Sequence, residues 1–107
     1  MVKYKVVLLP QALKGLREIT EYVRRRDSVS SATYVRKEIM KTVRSLDKMP
    51  ETHERLHAIC TDQMTYRRAL QWSYRVIFTI DEERAIVFVA DIDHGGDDPK
   101  KLLEKFK

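Results

Sequence analysis

Tyr74-Arg75-Val76-Ile77-Phe78-Thr79-Ile80, then Asp81-Glu82-Glu83-Arg84, then Ala85-Ile86-Val87-Phe88-Val89-Ala90-Asp91-Ile92 is the stretch that decides the fold. Both flanking runs are rich in β-branched and aromatic residues, which suit a pleated, packed surface. The polar segment between them reads as a turn, so the pair predicts a hairpin. Ala85 to Ala90 is apolar without interruption and reads as the most buried strand. Just upstream, Tyr66-Arg67-Arg68-Ala69-Leu70-Gln71 alternates with a period of two, and Trp72-Ser73 makes a tight connection to Tyr74. Three strands joined by short turns form an antiparallel meander.

Toward the N-terminus the period changes. Residues 50–65 show no sustained pattern and read as a connector. Ala32, Val35, Ile39, Val43 (or Thr42) and Leu46 make one stripe of an amphipathic helix that ends before Pro50. Ser30 or Ser31, within the break Asp27-Ser28-Val29-Ser30-Ser31, is expected to cap it. Ala12, Leu16, Ile19 and Val23 form the stripe of an earlier helix, opened by Pro10, whose missing N–H costs nothing in a first turn. Lys14–Glu18, Arg17–Glu21 and Glu21–Arg25 are expected as ion pairs one turn apart on its outer side. Arg24-Arg25-Arg26 closes it as a solvated, dipole-favoured end. Val2 to Leu9 alternates and then turns apolar, as a strand does.

The order is β-α-α-β-β-β: an α+β fold with an N-terminal strand, a helical hairpin and a three-stranded antiparallel meander in one small sheet. A short C-terminal helix carrying Leu102, Leu103 and Phe106 is expected to close it. The 107 residues suit one domain, 1–107, with composition that is 43% hydrophobic and 35% charged. Cys60 is the only cysteine, which excludes an internal disulfide. No apolar run is long enough for a signal peptide core or a membrane span, so a cytoplasmic protein is expected. Lys and Arg outnumber acids 21 to 16, a net charge of +5 that favours acidic partners.

Specific residues carry a family resemblance. Tyr4-Lys5-Val6 to Pro10, with Leu13 and the apolar positions of the helix that follows, resembles the opening of the RelE/ParE toxins of type II toxin–antitoxin systems (plasmid-stabilisation-like proteins). Tyr74-Arg75-Val76-Ile77-Phe78 is similar to their Tyr-Arg-aliphatic-aliphatic-aromatic strand, and Asp93-His94-Gly95 with Asp97 to the His-Gly-Arg-Arg-Asp ending of ParE-like members. The resemblance runs over essentially the whole chain. It implies a toxin held silent by a cognate antitoxin, without cofactor or metal. RelE-like members cleave mRNA at the ribosome, so the first expectation is a metal-independent endoribonuclease. ParE-like members inhibit DNA gyrase by binding, and a degenerate homologue that binds only its antitoxin is a third expectation. A homodimer or a hetero-oligomer with the antitoxin is compatible with either.

Cleavage through a 2′-hydroxyl needs a base, an acid and fixed cations around the phosphorane. Arginine grips phosphate with a planar fork. The resemblance makes Arg68, Arg75 and His94 the candidate catalytic residues, and Arg67, Arg68 and Arg75 the candidate RNA-binding residues. A two-residue turn at Trp72-Ser73 sets Leu70 opposite Arg75 and puts Arg68 on the same face. Gly96-Asp97 replaces the family's paired arginines with an acid, and Phe106 stands where a C-terminal tyrosine is often found; both count against the catalytic trio, while the His-Gly-x-x-Asp ending leans toward ParE-like members.

His53-Glu54-Arg55-Leu56-His57 matches the H-E-x-x-H zinc signature. Pro50 and the polar residues after it leave no long helix to carry it. The segment reads as a solvent-facing connector with no metal, and Cys60 as an unactivated thiol. Trp72, at a turn, reads either as a cap over the sheet edge or as part of a protein interface.

Overall fold

The computed structural model describes residues 3–94. Strand β1 is Lys5–Leu8, helix α1 is Pro10–Arg26 and helix α2 is Val29–Ser45. Two short 3-10 turns, Pro50–Thr52 and His57–Ile59, lie in the connector. The meander follows as β2 (Arg67–Gln71), β3 (Tyr74–Asp81) and β4 (Ile86–His94). The expected C-terminal helix, with Leu102, Leu103 and Phe106, lies outside the described residues, as do Gly96 and Asp97.

The sheet order is β1-β4-β3-β2, with β1 parallel to β4 and the other neighbours antiparallel. The long segment between β1 and β4, which runs through the helical hairpin, the connector and β2–β3, supplies the crossover that a parallel pairing demands and a tight turn cannot. Leu70 pairs with Arg75 across the Trp72-Ser73 turn, as the expected register required.

Both helices pack on one face of the sheet. Ala12 and Leu16 of α1 and Ile39 and Val43 of α2, with Leu46 just after it, meet Ala69, Val76, Phe78, Val87, Val89 and Ile92. Each Leu, Ile, Val or Phe among them, fully buried, stabilises the fold by about 1.5–3 kcal/mol. Ile19 and Val35 pack at the margin of this core. The opposite face carries a smaller cluster, in which Ile59 of the connector covers Ile77, flanked by Leu56 and Tyr66.

Several local expectations are corrected. Helix α2 is capped by Ser28, whose side chain accepts the Ser31 N–H at 3.0 Å, because Val29 is already helical and Ser28 is the last extended residue. On α1, Glu21 pairs with Arg24 rather than with Arg17 or Arg25. Strand β4 runs on through His94, which is the end of the strand and not a residue beyond it. Its register slips between Ile77↔Asp91 and Phe78↔Val89, leaving Ala90 as an extra residue. This bulge resets the alternation, so Val87 and Val89 face the helices in the first half of β4 and Ile92 does so in the second.

Candidate functional site

The sheet register places the candidate residues directly. Arg75 lies opposite Leu70 and Asp93, and Arg68 lies opposite Ile77. Residues facing each other across a ladder share a face, so Arg68, Arg75 and Asp93 project on the side away from the helices. Tyr74 lies opposite His94, and both project toward the helices, where Tyr74 joins the main core. Arg68 and Arg75 are therefore brought together on one face and His94 is not.

Each candidate arginine has a protein partner. Arg75 donates from Nε and Nη2 to the two carboxylate oxygens of Asp93, at 2.9 and 2.8 Å. Only 7% of Arg75 and 5% of Asp93 is exposed, so the fork that would grip phosphate is enclosed with a carboxylate. Arg68 donates to Glu54 at 3.1 Å, and Arg67 donates to the His53 carbonyl at 2.7 Å. These two contacts tie β2 to the connector, which also bridges Arg55 to Arg67.

His94 is exposed. Its Nε2 lies 3.1 Å from the Ser73 hydroxyl, and its ring meets the Tyr74 ring edge-on at 5.5 Å between centroids. His94 and Tyr74 line a groove of about 780 Å³ between α1 and the end of β4, with Lys14 and Glu18 on the helical wall. Gly15 lines it too and explains how closely α1 sits. A Cβ at that position would fall 2.1 Å from the Ile92 carbonyl oxygen. Asp91, buried beside it, accepts the Ile92 N–H at 2.9 Å.

With this geometry in view, the model of the ParE toxin of the type II toxin-antitoxin system parDE matches residues 6–99. The chain belongs to the ParE toxin family. It shares its fold with the chromosomal ParDE system of P. aeruginosa at 13% identity and TM-score 0.70, covering 88% of this chain and 98% of that one. The RelBE2 complex of Mycobacterium tuberculosis is similar at 18% identity and TM-score 0.63, covering 87% and 99%. The archaeal RelE-RelB complex of Pyrococcus horikoshii OT3 follows at 19% identity and TM-score 0.56, covering 92% and 100%. No curated protein matches the chain.

This ParE-family toxin does not carry His53-Glu54-Arg55-Leu56-His57 on a helix. His53 is extended, and His57 opens a separate 3-10 turn. The shared helical face that would present both imidazoles to one zinc ion does not form. Among the described residues no group of three or more His, Cys, Asp or Glu side chains is placed to hold a metal. The connector is also less solvent-facing than expected. His53 is half-buried, its ring edge-on to Phe78 at 5.7 Å. Burial, and then the charge of Arg67, lower its pKa from the ordinary value. Cys60 serves the same segment structurally: its Sγ receives the Tyr66 N–H at 3.3 Å and faces the Leu56 carbonyl at 3.4 Å.

Three features of the toxin were not legible as site elements: the Asp93 partner of Arg75, the Gly15 contact, and the packing of Trp72 on Tyr34. Arg75 and Asp93 stand eighteen residues apart, and only the strand register makes them neighbours.

Proposed function

We propose that this chain is the toxin of a toxin–antitoxin pair and acts by binding its target, as a ParE-like inhibitor of DNA gyrase, with a cognate antitoxin as its silencing partner. The observation that carries this reading is the enclosed, two-pronged pairing of Arg75 with Asp93. A guanidinium committed in this way has its planar fork occupied, and a ribonuclease would need that fork for phosphate. The placement of His94 on the opposite face supports it further, since acid–base work on one phosphate requires its groups within reach of one reacting centre. The family match and the parDE likeness support the ParE side of the superfamily. The antitoxin partner is inferred from relatives described as a ParDE TA system and a toxin-antitoxin complex. No helix among the described residues is long and apolar enough to cross a membrane, and a gyrase target implies action in the cytoplasm.

The competing reading is a metal-independent endoribonuclease at the ribosome, using Arg68, Arg75 and His94 with Arg67. Its support is the fold shared with the RelE complexes. Inducing the chain alone in a bacterium while pulse-labelling protein synthesis and following DNA integrity separates the two. DNA breaks with translation initially intact are expected. An early halt of translation with cleaved mRNA and undamaged DNA would establish the nuclease instead.

A further inference from the structure

Arg55 of the connector and Arg67 of β2 face each other in an isolated antiparallel bridge. The flanking hydrogen bonds run from the Leu56 N–H to the Tyr66 carbonyl at 2.8 Å, and from the Arg68 N–H to the Glu54 carbonyl at 3.0 Å. Arg55 and Arg67 therefore exchange no backbone hydrogen bonds of their own. In such a pair the Cα atoms stand about 4.5 Å apart, the closer of the two spacings in an antiparallel ladder. Directly opposed residues project on one face. Both arginines line a pocket of about 290 Å³ at the β2 edge of the sheet, with Gln63, Thr65, Thr79 and Glu82.

Like charges directly opposed across a ladder are destabilising. No carboxylate relieves this pair: among the described residues the ion pairs are Glu21–Arg24, Glu38–Lys41, Glu54–Arg68, Asp93–Arg75 and Asp81–Arg84. Arg67 donates from Nη1 to the His53 carbonyl at 2.7 Å, and Arg55 makes no side-chain hydrogen bond among the described residues. Glu82, the one acid among the lining residues, accepts the Tyr4 hydroxyl on Oε2 at 2.8 Å and leaves Oε1 open. Two guanidinium groups held together with most of their donors unused are not explained by folding alone.

We propose that Arg55 and Arg67 hold the phosphate of a small hydroxylated phosphate monoester, of the sugar-phosphate kind. Guanidinium forks match phosphate oxygens, and an anion between the two removes their repulsion. A monoester carries a charge of about −1.5 to −2 near neutral pH, which suits two cations better than the single charge of a diester does. The other lining residues set the rest of the ligand. Glu82 and Gln63 accept hydrogen bonds from hydroxyl groups, and Thr65 and Thr79 add further hydroxyl oxygens. No aromatic ring is among the lining residues, so a nucleobase finds no stacking surface; Met64 and Ile80 are the apolar members. The volume lies at the small end of the ~300–1,000 Å³ typical of ligand pockets. The site is separate from the Arg75–Asp93 pair. Arg67 lies opposite Phe78, which faces the helices, whereas Arg75 projects from the other face. It is therefore independent of which target the toxin acts on.

The full chain is titrated with ribose 5-phosphate at constant ionic strength, with NMR following the arginine Nε–H groups and the His53 ring. Inorganic phosphate, ribose and an oligothymidine are the comparison probes. The expected result is saturable binding of ribose 5-phosphate, tighter than that of inorganic phosphate and absent for ribose. Arg55→Gln should weaken it about tenfold or more. Arg55 is exposed, and circular dichroism verifies that the variant is folded. Arg44→Gln removes an exposed charge from α2 and should bind as the wild type does. An equal loss in Arg44→Gln overturns the site in favour of net charge alone. Burial and then the charge of Arg67 hold the His53 pKa down, so it should rise in the saturated complex. Binding that leaves the His53 titration in place puts the anion away from Arg67 and overturns the two-arginine site. Inorganic phosphate bound as tightly as the ester leaves an adventitious ion only, and tighter binding of the oligothymidine overturns the proposal in favour of a nucleic-acid backbone. No saturable change with any probe overturns it outright.

Discussion

The guanidinium of Arg75 and the carboxylate of Asp93 face each other across β3 and β4 as a directly opposed, doubly hydrogen-bonded and buried pair. Removing one member of such a pair leaves the other charged in a place from which water is excluded. Arg75→Ala is therefore expected to cost about 3–5 kcal/mol of stability. Replacing both members with apolar groups removes the uncompensated charge, so Arg75→Met/Asp93→Leu should recover most of that loss. Urea unfolding of the single and double variants checks this. The double variant also tests function where Arg75→Ala cannot, since lost toxicity in an unfolded protein says nothing about catalysis. Growth arrest by a folded double variant is the outcome the binding reading requires.

Gly15 allows α1 to lie against β4 more closely than any other residue would permit. A methyl group there would sit 2.1 Å from the Ile92 carbonyl oxygen, a backbone atom that cannot swing aside. Alanine normally favours a helix interior over glycine by about 1 kcal/mol. Here the clash should outweigh that gain, and Gly15→Ala is expected to destabilise the protein by about 1–3 kcal/mol. A more stable Gly15→Ala protein in thermal unfolding would show that α1 shifts freely on the sheet.

The sequence is informative where one physical rule acts alone. The helix stripes, the Trp72-Ser73 turn and the Leu70↔Arg75 register follow from period and turn length, and the fold follows from them. It is uninformative where two rules compete. Continuing the alternation of Val87 and Val89 through β4 puts Asp93 with the core and His94 away from it. The bulge at Ala90 reverses both, and nothing in the local composition announces it. His94 therefore stands beside Tyr74 on the helix side of the sheet, and Arg68 and Arg75 stand on the other. His53 was misplaced differently: a polar connector gives no period, and its burial depends on contact with Phe78, twenty-five residues away.

Ala85 and Trp72 both hold a positive φ, 53° and 54°. The left-handed conformation costs an L-residue roughly 1–2 kcal/mol, and glycine relieves it at an entropic cost of about 0.5–1 kcal/mol. Ala85→Gly should thus stabilise the protein by about 0.5–1 kcal/mol. Trp72→Gly relieves the same strain but gives up the contact with Tyr34, worth about 0.5–1.5 kcal/mol, and should come out near zero. A buried aromatic truncated this way typically costs about 3–5 kcal/mol. A loss of that size for Trp72→Gly would make Trp72 a structural cap over the sheet edge.

His53 gives the fold a pH dependence of known sign. Burial against Phe78, and then the nearby Arg67, hold its pKa below the ordinary 6.5. Above that value the ring is neutral in both the folded and unfolded chains, and its contribution to stability is fully present. As the pH falls below 6.5, the unfolded chain takes up the proton first, because the folded chain resists it. Stability therefore drops across the window between the ordinary value and the lowered folded one. His53→Gln removes the titrating group, so the stability difference between wild type and variant should shrink as the pH is lowered through that window. Urea unfolding of both proteins from mildly acidic to neutral pH measures it. A difference that stays constant would mean that the imidazole is equally protonated in both states, and that the connector does not hold His53 against Phe78.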